Sequence, residues 1–397
     1  MRKNPCFFIF CAGAVLAPLH AAPEQTAVAG AAFPAFPAVK KTMGDFIAAK
    51  ELAGSVTVVA DGSKVLHLSA DGMANIAEKR PMAPDSIFWI ASMTKPVTAT
   101  AVMMMHEEGL LSVDDPVAKY LPEFRNLKDA AGKDVTVTIA QCLIHSSGLA
   151  ELSPEEARSI SNLEELMPVV AAKPVQFEPG SKWQYCQSSI NTAARIVEVV
   201  SGKTFPAFLE QRLFKPLGMK DTTFYPTEEQ AKRLAASYKR TDSGELEEAP
   251  LFFLNGDLPS LKNRYPMANG GLFSTGGDYV KFAQMILNGG ELNGKRYLKE
   301  ESVKLMTGVR SGNLSPGFTP GNAWGLGWCI AKEPQGVTEA LSPGSFGHGG
   351  LFGTQAWIDP VKKRIYLLLI QRANFSNQGG SDGSEFRRQF QNAAAKS

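Results

Sequence analysis

Across 397 residues there are few cysteines and few histidines, five of each. Cys6 and Cys11 fall in the first apolar stretch, so beyond it remain Cys142, Cys186 and Cys329. An odd, widely spaced set is no disulfide framework. Buried apolar thiols are expected, with one bonded pair as the alternative. No basic run interleaved with aromatics occurs, and 41 basic residues against 39 acidic leave a net charge of only +2. Nucleic acid is therefore not an expected partner. Beyond the N-terminus no apolar run is long enough to span a bilayer, so stable membrane insertion is not expected. His106-Glu107 lacks the second histidine of a zinc helix motif, and neither a metal nor another cofactor is called for.

What is present is ample for a large core: 44% of the chain is hydrophobic and 20% charged, compatible with one big domain or two interleaved ones. The opening MRKNP is positive, CFFIFCAGAVLAPL is apolar, and small residues follow at Ala21 and Ala22. This is the pattern of a cleavable signal peptide over residues 1–22, placing the protein in the periplasm or outside the cell. Residues 23–37, rich in Ala and Pro, read as a linker.

VKKTMGDFIAAKEL has helical spacing, and SVTVVADGSKVLHLSADG gives two strands around Asp61-Gly62. The apolar segment after Pro96 reads as a helix ended by Gly109. From Asp115 to Ala268 helical pieces alternate with Pro- and Gly-rich loops. AWGLGWCI, GTQAWIDP and RIYLLLIQ are strand-like, and a helix-like tail follows the polar GGSDGS. Strands at both ends with helices between predict an α+β fold whose single sheet is completed by both termini. The expected division is an α/β domain from residues 38–114 and 269–397, with a mostly helical domain over 115–268.

The chemistry centres on FWIASMTKPVTATAVM. Proline is tolerated in a helix only in the first turn, so Pro96 places the helix start near Ser92. There, unpaired backbone N–H groups and the dipole favour negative charge. Lys95, three residues on, shares a face with Ser92. A serine hydroxyl needs a base to become a nucleophile, and lysine can serve once burial lowers its pKa. The plain structural alternative is an N-cap serine beside a solvated lysine. Two further segments stand in order: Tyr185 in FEPGSKWQYCQ, a candidate base or proton shuttle, and His348-Gly349-Gly350 in GSFGHGG. Glycines there would let a substrate lie along a strand, and the N–H of Leu351 could join that of Ser92 in an oxyanion hole.

These three segments, with QCLIHSSGLAE, IVEVVSGKTF, LFKPLGMKDTTFYP, NGGLFSTGGDYVKFAQMILNGG and WGLGW, resemble the class C β-lactamase and family VIII carboxylesterase group of penicillin-recognising serine hydrolases. The resemblance implies a β-lactamase/transpeptidase-like fold, with an antiparallel sheet, a helical domain and a site between them. It also implies acylation of Ser92, proton handling by Lys95 and Tyr185, and no metal. Two positions depart from the family pattern. Gln187 stands where Tyr-x-Asn would place asparagine, and His348 stands where the β-lactamases carry the lysine of Lys-Thr-Gly.

The resulting expectation is a serine hydrolase of carboxylic esters or activated amides with small acyl groups, Gln187, His348, Gly349, Gly350 and Leu351 contacting substrate. The alternatives are a β-lactamase or D-alanyl-D-alanine carboxypeptidase, and a catalytically silent binder of cell-wall or peptide ligands. Three lesser motifs compete. Gly379-Gly380-Ser381-Asp382-Gly383 matches a nucleophile elbow but has no histidine after it. Gly202-Lys203-Thr204 lacks the first glycine of a phosphate loop. Ser189-Ile190-Asn191 is a minor rival to Tyr185.

Overall fold

The computed structural model describes Met1 and residues 36–254, 256–317, 319–374 and 383–396. The chain divides into two units, residues 1–32 and 33–397, and all that follows concerns the second. The expected signal peptide and most of the Gly379–Gly383 segment lie outside the described residues.

One antiparallel sheet of eight strands organises this unit. Strands β1 (Gly54–Ala60), β2 (Val65–Asn75) and β3 (Arg80–Pro81) come from the N-terminal part. Strands β4 (Asn322–Trp324), β5 (Cys329–Ala331), β6 (Ser345–Gly349), β7 (Gln355–Asp359) and β8 (Arg364–Leu369) come from the C-terminal part. The order is β4-β5-β6-β7-β8-β1-β2-β3. The two ends of the chain are thus joined by the β8–β1 ladder, with Val58 opposite Leu367. AWGLGWCI forms two strands, because Gly327 adopts a left-handed φ of 76° between them.

Both faces of the central strands are covered, as their near-continuous apolar runs require. The strand period of two sorts the side chains. Val56, Val58, Leu367 and Leu369 enter one core with the helices α2 (Thr94–Glu107), α3 (Gln187–Ser201) and α4 (Gly276–Leu287). Val59, Tyr366 and Leu368 enter another with α1 (Pro37–Ala48) and α5 (Gly383–Ala395). There Phe46 meets Phe386 edge-on at 4.8 Å. Truncating a fully buried Leu367 to alanine would cost about 2–5 kcal/mol. Helix α2 is buried on all sides from Thr94 to Met105, so it runs through the core and fixes the residues at its N-terminus.

Cys142, Cys186 and Cys329 are all free and buried. The expected buried thiols are what the structure contains.

Candidate active site

A short strand, Phe88–Trp89, pairs with Phe273–Ser274, and the Trp89 indole donates to Gly270 O at 2.6 Å. The chain then turns sharply. Ala91 takes a φ of 46°, unusual for a residue with a Cβ. A 3₁₀ turn, Ala91–Met93, feeds into α2 at Thr94. Ser92 therefore sits on a held corner rather than at an N-cap, with Pro96 in the first turn of the helix behind it.

Lys95 projects from that first turn and is fully buried. Its Nζ donates to Ser92 Oγ at 3.1 Å, Gln187 Oε1 at 2.9 Å and the Asn269 carbonyl at 2.7 Å. Burial pulls its pKa down to about 7, against the opposing charge of Glu151 and the Cys186 thiol. The ammonium also lies 4.5 Å from the centre of the Tyr185 ring.

Tyr185 precedes α3, and its side chain hydrogen-bonds with that of Ser92. Burial raises the phenol far above its ordinary pKa, so it is neutral at physiological pH. The ring packs 4.4 Å from His145 and 6.1 Å from Trp324, with Trp183 at the same distance. His145 is buried in a left-handed conformation and accepts the Cys186 N–H on Nδ1 at 3.1 Å. Gln187 opens α3, and its Oε1 also accepts from Asn269 Nδ2 at 2.9 Å. Glu151 caps that helix start by accepting the N–H groups of Gln187 and Ser188, an anion where the dipole favours one.

His348 lies on β6, buried against Trp324, edge-on at 5.6 Å. Its Nδ1 is 2.6 Å from Gly349 O. Burial, then the charge on Lys95, push its pKa down to about 3, so it carries no charge near neutrality. Gly350 has no room for a side chain: a Cβ would lie 2.0 Å from Thr354 Oγ1 and 2.5 Å from the Ile90 carbonyl. That glycine brings the turn after β6 against the segment leading to Ser92.

Ser92, Gln187 and Leu351 open onto a cavity of about 760 Å³. One wall is aromatic, with Trp89 4.9 Å from Phe253 and 5.8 Å from Phe252. Glu151, Ser188, Asn191 and Asn269 line another part. Phe252, Phe253 and Leu254, then Asn263, Arg264 and Tyr265, contribute much of the lining.

The structure thus brings Ser92, Lys95, Tyr185 and Gln187 into direct contact, and sets Leu351 on the same cavity while His348 stands in the aromatic cluster behind Tyr185. Sequence reasoning missed Asn269 and Glu151. Asn269 precedes Gly270-Gly271, a signal of close backbone approach, whereas Glu151 carries no local mark. The rivals fall elsewhere. Ser189 is buried against Ser147 Oγ at 2.6 Å, and Gly202, at a φ of 67°, ends α3 as a helix cap.

Comparison with known proteins agrees with this fold. The family model named Beta-lactamase matches residues 39–386. Esterase EstB of Burkholderia gladioli is 29% identical over 353 residues, covering 82% of this chain and 87% of the esterase. Penicillin-binding protein 4 of Amycolatopsis lactamdurans is 31% identical over 303 residues, 76% of this chain and 75% of that protein. The solved structure of EstCE1, described as a hydrolase with promiscuous acyltransferase activity, shares the fold with a TM-score of 0.77 at 24% identity. It covers 90% of this chain and 97% of its own. With the family model matched from residue 39 to 386, nearly the whole of the described unit, the chain belongs to the Beta-lactamase family.

Proposed function

We propose that the protein is a carboxylesterase of the periplasm or extracellular space that works through an acyl-enzyme on Ser92. The observation that carries this reading is the set of contacts at Lys95 Nζ. A neutral amine has two N–H groups and one lone pair. Gln187 Oε1 and the Asn269 carbonyl can only accept, so they take the two protons and leave the lone pair for Ser92. Neutral Lys95 then removes the Ser92 proton as Oγ attacks the ester carbonyl. Tyr185, neutral and bonded to Ser92, relays a proton to the departing alcohol oxygen. The N–H groups of Ser92 and Leu351 hold the oxyanion. Water attacks the acyl-serine by the reverse relay, releasing the acid and restoring the hydroxyl.

The substrate that the cavity supports is an ester with an apolar group against Trp89, Phe252 and Phe253, in a lining that also carries Glu151, Asp257, Arg158 and Arg264. A neutral His348 offers no cation to a substrate carboxylate, and Glu151 would repel one. A cavity of about 760 Å³ also has room for more than the small acyl groups expected from sequence. The relation to EstB supports the esterase reading. A β-lactamase or D-alanyl-D-alanine carboxypeptidase is the second reading, supported by the relation to a penicillin-binding protein. The silent-binder alternative fits poorly with an intact Ser92–Lys95 pair.

The test is parallel turnover of p-nitrophenyl butyrate, a chromogenic cephalosporin and a D-Ala-D-Ala peptide by the wild type and Ser92→Ala. Ester cleavage should dominate and vanish in the variant. Cephalosporin turnover far above ester cleavage would select the second reading.

A further inference from the structure

Behind the Gly350–Leu351 peptide stands Arg387, on α5 near the end of the chain. Its Nη2 donates to the Gly350 carbonyl and, at 3.3 Å, to that of Thr354. The same turn closes on itself, Gly350 N–H donating to Thr354 O at 2.7 Å and Gly353 N–H to Gly350 O at 3.1 Å. The Arg387 backbone carbonyl accepts from Gln355 Nε2 at 3.2 Å, which ties the helix to the start of β7. Arg387 Nε is shut off from solvent. A side chain at Gly349 would come within 3.2 Å of the guanidinium carbon, so the glycine leaves room for a cation. Burial pulls the arginine pKa down to about 10, and it stays charged near neutrality.

A peptide group is planar, and this one is trans, so its C=O and N–H point in opposite directions. Whatever grips the Gly350 carbonyl also aims the Leu351 N–H. We propose that Arg387 is a positioning residue for catalysis, pinning this peptide from behind so that the Leu351 N–H faces the cavity it shares with Ser92 as an oxyanion donor. The inference rests on the acyl-enzyme reading of Ser92. The guanidinium acts in two ways through one amide. It fixes the plane, and its charge polarises the carbonyl, which strengthens donation by the attached N–H. Both effects favour the developing oxyanion over the bound ester, so they belong to kcat rather than KM.

The experiment compares wild type, Arg387→Lys, Arg387→Gln, Arg387→Ala and Ser92→Ala on p-nitrophenyl butyrate, with melting temperatures measured in parallel. Complete loss of an oxyanion donor costs on the order of 100-fold or more in kcat, so a misaimed one should cost roughly 10- to 100-fold in the glutamine and alanine variants. KM should change less than about threefold, and affinity for a boronic acid that forms a tetrahedral Ser92 adduct should fall in step with kcat. Guanidinium added at millimolar concentration should restore part of the alanine variant's kcat, which a general loss of stability would not allow. Wild-type kcat in folded Arg387→Gln, with Ser92→Ala inactive, overturns this inference alone. An active Ser92→Ala overturns the acyl-enzyme reading beneath it.

Discussion

Lys95 Nζ lies 3.1 Å from Ser92 Oγ at the end of a lysine side chain with no solvent access. Because its pKa is drawn down to about 7, the amine is protonated below that pH and free to accept a proton above it. The rate constant kcat/KM for an uncharged ester should therefore rise with pH through an apparent pKa near 7 and level off above it. Stopped-flow or plate assays from pH 5 to 9 measure this. A limb near 10 would mean an ordinary lysine.

The same shift has a stability consequence. In the unfolded chain Lys95 titrates near 10.4, well above its folded value of about 7. Between these values the unfolded state binds more protons, so stability rises with pH. The penalty of burying this lysine is full below pH 7 and gone above the unfolded pKa, worth a few kcal/mol at about 1.4 kcal/mol per unit. Lys95→Met should therefore gain melting temperature relative to wild type at pH 6 and lose most of that gain by pH 10. A difference independent of pH would contradict it.

Glu151 opposes the downward shift at Lys95 while capping α3 with both carboxylate oxygens. Glu151→Gln removes the charge and keeps one acceptor. The acid limb of kcat/KM should move to lower pH, with folding stability falling by no more than the roughly 0.5–2 kcal/mol that a lost cap costs. A limb that moved upward would place the carboxylate's influence elsewhere.

Gln187 should matter more to kcat than to KM. Its Oε1 receives both Lys95 and Asn269, so Gln187→Leu strips the lysine of one fixed partner, leaving its lone pair unaimed. A hydrogen bond to a charged group is worth about 1.5–3 kcal/mol, or roughly a 10- to 150-fold fall in kcat. Gln187→Asn, with a shorter arm and the same amide, should retain more activity than the leucine variant. Equal loss in both would show that reach, not chemistry, decides the position.

The sheet was legible because its signal is local: period-two apolar runs at both ends of the chain predict strands, and Val58 and Leu367 need only each other. Pro96 was equally informative, since a proline dictates where its helix can begin. The strand pair within AWGLGWCI was not separable, because the four-residue turn Gly325–Trp328 leaves an apolar run unbroken. At the site, Ser92, Lys95 and Tyr185 could be named from spacing and resemblance. The contacts of Asn269 could not, as its backbone carbonyl meets Lys95 across 174 residues, and a carbonyl leaves no mark in a sequence. Nor does a sequence state that His348 is buried beside the rings of Tyr185 and Trp324.

The central claim is that Ser92 carries the acyl group. Rapid acid quench of the protein with a p-nitrophenyl ester, followed by peptide mass spectrometry, tests it most directly. The account predicts one acyl mass increment on the peptide containing Ser92, abolished with turnover in Ser92→Ala. An acyl label on any other residue, or turnover that survives Ser92→Ala, would contradict it.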